Sequence, residues 1–145
     1  MKEEGLTYDY IRGLINSQGC FTFHTVPNRL SGGMVKKVKI PAFILTTHDR
    51  DEDLMATIRR YLDIEKRPYR VSKNTSKLVI RDLGTLKNII IPICYNGLIG
   101  YRKRQFEFWL DKMGTDPDVP EQYKLLYRLY KKNFFDKTLN SRKIV

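Results

Sequence analysis

The stretch Tyr10–Phe23, "YIRGLINSQGCFTF", decides how the rest of this chain folds. Tyr10, Ile11, Leu14 and Ile15 recur at helical spacing, so its first half predicts an amphipathic helix. Thr7 stands where an N-cap belongs, and Asp9 falls in the first turn, where unpaired N–H groups favour a carboxylate. Gly19 is the expected stop, because a glycine just past the last turn can take a left-handed cap. The period then changes to two, and "CFTFHTV" alternates as a strand does. Gly13 and Ser17 lie four apart, which puts two small side chains on one helix face. Such a face suits close approach, either to another part of this chain or to a second helix. Asn16 and Gln18 end the helix with two amides.

Working outward, "PNRLSGG" reads as a turn and "VKKVKIPAFILT" as a second strand, basic where it starts and apolar where it ends. Asp49 opens the helix "RDEDLMATIRRYLD", with Leu54, Met55, Ile58, Tyr61 and Leu62 as its apolar stripe. "RPYRVSK" and "KLVIRDL" predict a hairpin around Asn74–Ser76. "LGTLKNIIIPICY" reads as a helix stopped near Pro92, and "YRKRQFEFWLDKM" as another. After the loop "TDPDVP" comes a last helix, "EQYKLLYRLYKKNFF", with a basic tail. The order is αββαββα plus two helices. It predicts one α+β domain with a four-stranded antiparallel sheet, helices covering one face. The main unit is expected over residues 1–113, with residues 114–145 forming a C-terminal helix and tail.

The chain has 145 residues, of which 41% are hydrophobic, enough for a globular core. No apolar run reaches the roughly 20 residues of a membrane helix, the start lacks the basic-then-apolar pattern of a secretion signal, and its acids argue against an uncleaved organelle presequence. Cys20 and Cys94 lie far apart without metal-ligand spacing and read as free thiols. Lys and Arg number 27 against 16 acids, a net charge of +11, which points to a polyanionic partner such as nucleic acid. The strands suggest where it would bind. Lys77, Val79 and Arg81 alternate with Leu78 and Ile80, and Lys37 and Lys39 with Val38 and Ile40. Thr22 and His24 oppose Phe21 and Phe23, while Arg67, Tyr69 and Lys73 share one register. With Arg29 from the turn, these groups predict a polar, basic sheet face able to lie along a nucleic-acid groove.

"IRGLINSQG", Ile11 to Gly19, resembles the nine-residue signature of the LAGLIDADG homing endonucleases. The resemblance continues through "GCFTF", "LTTHDRDEDLMATIRRYL" and "YNGLIGYRKRQFEFW", and covers roughly Tyr8 to Met113. It implies the αββαββα fold, a homodimer or heterodimer with another such domain through the Gly13/Ser17 face, and Mg²⁺-dependent phosphodiester cleavage. The family acid belongs at the signature's eighth position, here Gln18, and the sixth is usually acidic too, here Asn16. The family lysine belongs at the start of "YRKRQF", here Tyr101, with Arg102 and Lys103 following. The candidate catalytic positions are therefore Gln18, Asn16, Arg102 and Lys103, all without a carboxylate, and no metal or other cofactor is expected. Asp49, at the start of the second helix, is the one acid that would partly compensate if it lay near the groove floor.

What the residues and the resemblance imply together is a nuclease-inactive binder of structured RNA, a maturase-like or ribosomal factor in a mitochondrion or chloroplast. The runner-up is an endonuclease cutting duplex DNA with Mg²⁺, native or disabled at Gln18. A third reading is a DNA-binding regulator that does not cleave.

Overall fold

The computed structural model describes residues 5–29, 31–33 and 35–136. The first helix, α1 (Tyr8–Gln18), is capped by Thr7, whose hydroxyl accepts the Tyr10 N–H at 3.0 Å. It buries Ile11 and Ile15 and passes directly into β1 (Gly19–Arg29). Gly19 does not take the left-handed cap expected of it: its backbone is extended, at φ −84° and ψ 165°. Glycine is required there for another reason. A Cβ at Gly19 would stand 2.7 Å from the Ile15 carbonyl oxygen and 2.9 Å from its Cγ2.

β1 pairs antiparallel with β2 (Val35–His48), β2 with β4 (Thr75–Ile80), and β4 with β3 (Tyr69–Ser72), giving the order β1-β2-β4-β3. β1 is longer than expected and runs through Pro27, which an edge strand tolerates because no neighbour needs its missing N–H. Pro41 lies in β2 just before Phe43, the first residue that β4 pairs, so there β2 has no strand partner on that side, and the neighbouring Lys39 N–H donates to the Asp118 carbonyl at 3.0 Å. The hairpin turn comes at Lys73–Asn74, earlier than predicted, and β3 begins at Tyr69, after Arg67.

Helix α2 (Glu52–Leu62) buries Met55, Ile58 and Leu62. The helical segment after β4 is not stopped at Pro92. It runs as α3 (Leu83–Thr85), a π-helical turn (Leu86–Ile90) and α4 (Ile91–Cys94), and the wider turn accommodates the proline's missing N–H. α5 (Gly100–Thr115) and α6 (Glu121–Lys131) complete the fold. The core lies between the helices and one sheet face. Phe21 is its hub, with ring centroids 5.3 Å from Phe43, 5.0 Å from Phe106 and 5.0 Å from Trp109. Tyr123 and Leu126 of α6 are buried in the same cluster. Both cysteines are free, and burial pushes the Cys94 thiol well above its usual range.

The close approach at Gly19 predicts that Gly19→Ala costs about 1–3 kcal/mol of stability, the usual penalty of overpacking. A Cβ at Gly13 meets nothing within 4 Å, so Gly13→Ala leaves the stability of the single chain unchanged or raised. Urea unfolding of the two variants at low protein concentration measures both.

Candidate nucleic-acid interface

Strand register fixes which side chains share a face. Phe21, Phe43, Leu45, Leu78 and Ile80 point into the core, so their neighbours in sequence point to the open face. His24, Lys77 and Arg81 lie on that open face. Tyr69, the partner of Lys77, is there too and is about half exposed. His24 records the convergence of these groups. Burial, then the charges of Arg81 and Lys77, hold its imidazole below the ordinary 6.5.

Lys37 and Lys39 are not on this face, contrary to the sequence expectation. They share the register of Pro41 and Phe43, so they project from the helix-covered side, while Val38 and Ile40 take the open one. The apolar run from Ile40 to Leu45 hides the parity of β2, and counting back from Val38 and Ile40 puts its lysines on the wrong face. Lys39 is also engaged. Its Nζ donates to Asp116 Oδ2 at 2.9 Å, which holds the ammonium above its usual range and the carboxylate below. Lys36, which we did not single out, is the β2 lysine on the open face and is exposed. Parity counted from Phe43 would have found it.

Arg67 is exposed in the loop before β3, and Lys73 sits in the hairpin turn, so neither shares the strand register assumed for it. The β3 arginine, Arg70, is committed to Asp49, Nη1 to Oδ2 at 2.8 Å, and Ser76 donates to the same carboxylate. Arg29 closes β1, but its side chain lies outside the described residues, as do Lys143 and the tail.

At the end of α1 the predicted groups do meet in part. Asn16 Oδ1 accepts the Ile99 N–H at 2.9 Å, and its carbonyl accepts Arg102 Nε at 3.4 Å. Arg102 Nη1 also donates to Gln105 Oε1 at 2.7 Å. Gln18 is exposed, as are Gly13 and Ser17, so among the described residues the small-residue face is not packed. Lys103 is exposed elsewhere, beside Tyr95, Glu107 and Tyr130. Asp49 follows β2 four residues beyond Leu45, the partner of Gly19, which is roughly 13 Å along the strand from the end of α1.

The sequence pattern missed Arg12. It is buried on α1, donating Nε to the Ile93 carbonyl at 2.9 Å and Nη1 to Asp9. Gly97 makes room for it, since a Cβ there would lie 2.5 Å from Arg12 Cδ.

A family model described as LAGLIDADG endonuclease matches residues 11–113, most of the chain. The chain belongs to the LAGLIDADG endonuclease family. The fold is also similar to solved structures of that family. The I-SmaMI LAGLIDADG homing endonuclease bound to cleaved DNA matches at TM-score 0.66 and 17% identity, over 88% of this chain and 43% of that one. I-LtrWI bound to target DNA matches at TM-score 0.66 and 23% identity, over 92% and 45%. I-GzeII in complex with its DNA target matches at TM-score 0.61 and 18% identity, over 87% and 42%. This chain therefore spans less than half the length of each.

The divalent metal that membership in the LAGLIDADG family implies does not fit the donors present. A hard cation is held by anionic oxygens, whereas the end of α1 offers the neutral amides of Gln18 and Asn16, the second already engaged. Among the described residues no three of His, Cys, Asp and Glu come together as a ligand set.

The environment of His24 sets a pH dependence. Its folded pKa is depressed, so its contribution to stability is present above the unfolded value of 6.5 and is lost as pH falls through the folded value. NMR titration of the ring should give a midpoint below 6.5 that rises in Arg81→Gln. The loss of stability on acidification should be smaller in His24→Gln.

Proposed function

We propose that this chain binds duplex DNA on the open face of its sheet, paired through α1 with a second LAGLIDADG domain, and does not cleave it. The observation that carries the reading is the convergence of Lys77 and Arg81 beside His24 on one face, a pair of cations placed to meet phosphate. Duplex DNA is favoured by the likeness to proteins solved on their DNA targets. Pairing is supported by the exposed Gly13/Ser17 face and by the match to less than half of each relative. Lack of cleavage is supported by the amides at positions 16 and 18 and by the engagement of Asp49 by Arg70.

Structured RNA, which the sequence put first, has one observation in its favour. Arg128, Lys131 and Lys132 add exposed basic groups on and just after α6, away from the sheet. Two of the three have acidic partners, Glu121 at 3.9 Å and Asp111 at 3.7 Å, so the reading is the weaker one.

Mobility-shift titration across salt tests the proposal. Neutralising Lys36, Lys77 and Arg81 should each flatten the log–log slope of affinity against salt by about one unit. Neutralising Lys37 and Lys39 should leave it unchanged. If structured RNA is the ligand, Lys132 should matter as much as Lys77. Duplex should be recovered intact after incubation with Mg²⁺, and a cut at roughly one turnover per minute would overturn the inactive reading.

A further inference from the structure

A cleft of about 420 Å³ lies between β1, at Phe21, Thr22 and Phe23, and helix α5. That is at the small end of small-molecule sites, which run from roughly 300 to 1,000 Å³. Phe21 and Trp109 make its floor, and the Trp109 indole is fixed by donating Nε1 to the Thr22 carbonyl at 2.8 Å. Tyr101 and Phe108, one on each side of Arg104, stand over it at 65% and 61% exposure. Two aromatic rings this exposed on one helix have no role in the core.

Cations of α5 border the cleft, although Lys103 lies away from it beside Glu107. Arg104 lines it, Lys112 lies over the Phe108 ring at 5.4 Å, and Arg102 over the Tyr101 ring at 5.4 Å. The acids of the same helix are turned elsewhere, Asp111 to Lys131 and Glu107 to the cavity beside Tyr130. Aromatic faces interleaved with cations are what a single nucleic-acid strand requires, since every base has a face to stack and every phosphate a charge to neutralise. A second copy of this chain would bring the same cationic border against itself. A paired base is already stacked on its neighbours and cannot enter.

We propose that this cleft takes an unstacked base of a single-stranded nucleic acid, sandwiched by Phe108 and Tyr101, with Arg104 and Lys112 on the flanking phosphates.

Trp109 is the only tryptophan in the chain, so its fluorescence reports on the cleft directly. The probes are an oligo(dA) strand of about eight nucleotides, a strand of the same length made entirely of abasic sugars, and a hairpin duplex. The expected result is saturable quenching by oligo(dA) and none by the abasic strand. The apparent affinity should fall about tenfold in Phe108→Ala, as loss of one base–aromatic stack implies. Phe108→Leu, which keeps an apolar side chain and removes the ring, should fall likewise, whereas Arg81→Gln should weaken the duplex alone. The proposal is overturned if oligo(dA) leaves Trp109 unchanged, if the abasic strand quenches equally, or if both Phe108 variants bind as well as the wild type. It is also overturned if the fluorescence follows protein concentration without oligonucleotide, which would mean that a second copy covers the cleft.

Discussion

The fold depends on the contact between Gly19 and the Ile15 carbonyl. α1 becomes β1 without a connecting residue, so the last turn of the helix must lie against the first residue of the strand, leaving no volume for a side chain. That one approach sets the orientation of α1 over the sheet and the parity of β1, and hence that Phe21 points to the core and His24 away. Arg12 fixes the other side of the helix. Its guanidinium, buried and bonded to the Ile93 carbonyl, ties α1 to α4, with Gly97 leaving it space. A helix held from two sides has one face to spare, and Tyr10, Gly13 and Ser17 occupy it.

A net charge of +11 is less informative than its distribution. Several cations are already employed within the fold: Arg70 closes the hairpin through Asp49, Lys39 holds the α5–α6 loop through Asp116, and Arg12 is internal. These pairs stiffen the domain and withdraw positive charge from the helix side. His24, Lys36, Lys77 and Arg81 remain on the open face, where burial first, and then the charges of Arg81 and Lys77, keep the His24 imidazole below its usual range. On α5, Arg104 faces the cleft while Glu107 and Asp111 are turned to Lys103 and Lys131.

Much of this was legible in the sequence where one local rule decided the outcome. The Thr7 cap, the Ile11/Ile15 stripe, the four strands and the alternation of β4 all follow from neighbours a few residues apart. The failures occurred where a distant partner decides. Gly19 does end the helix, its N–H donating to the Ile15 carbonyl, yet its backbone is extended rather than left-handed because the strand begins there. The parity of β2 is lost in a run of apolar residues, because Ile40, Ala42 and Ile44 are apolar on the open face as well. Pro92 ends no helix, since a π-turn accommodates it. Arg12 reads as a surface residue, and its partner lies 81 residues away. At the site, the amides of positions 16 and 18 and the Tyr101 substitution were plain in the sequence. The commitment of Asp49 to Arg70 and Ser76 was not, because it needs the β3–β4 hairpin to be in place.

The central claim is that nucleic acid lies on one face of the sheet, and two adjacent lysines test it most directly. Lys36 and Lys37 are both exposed and differ chiefly in which way the strand turns them. Acetylation of lysines in the free protein and in its complex with a duplex, read by mass spectrometry, should show Lys36 and Lys77 protected and Lys37 as reactive as before. Equal protection of Lys36 and Lys37, or protection of Lys37 alone, would contradict the account.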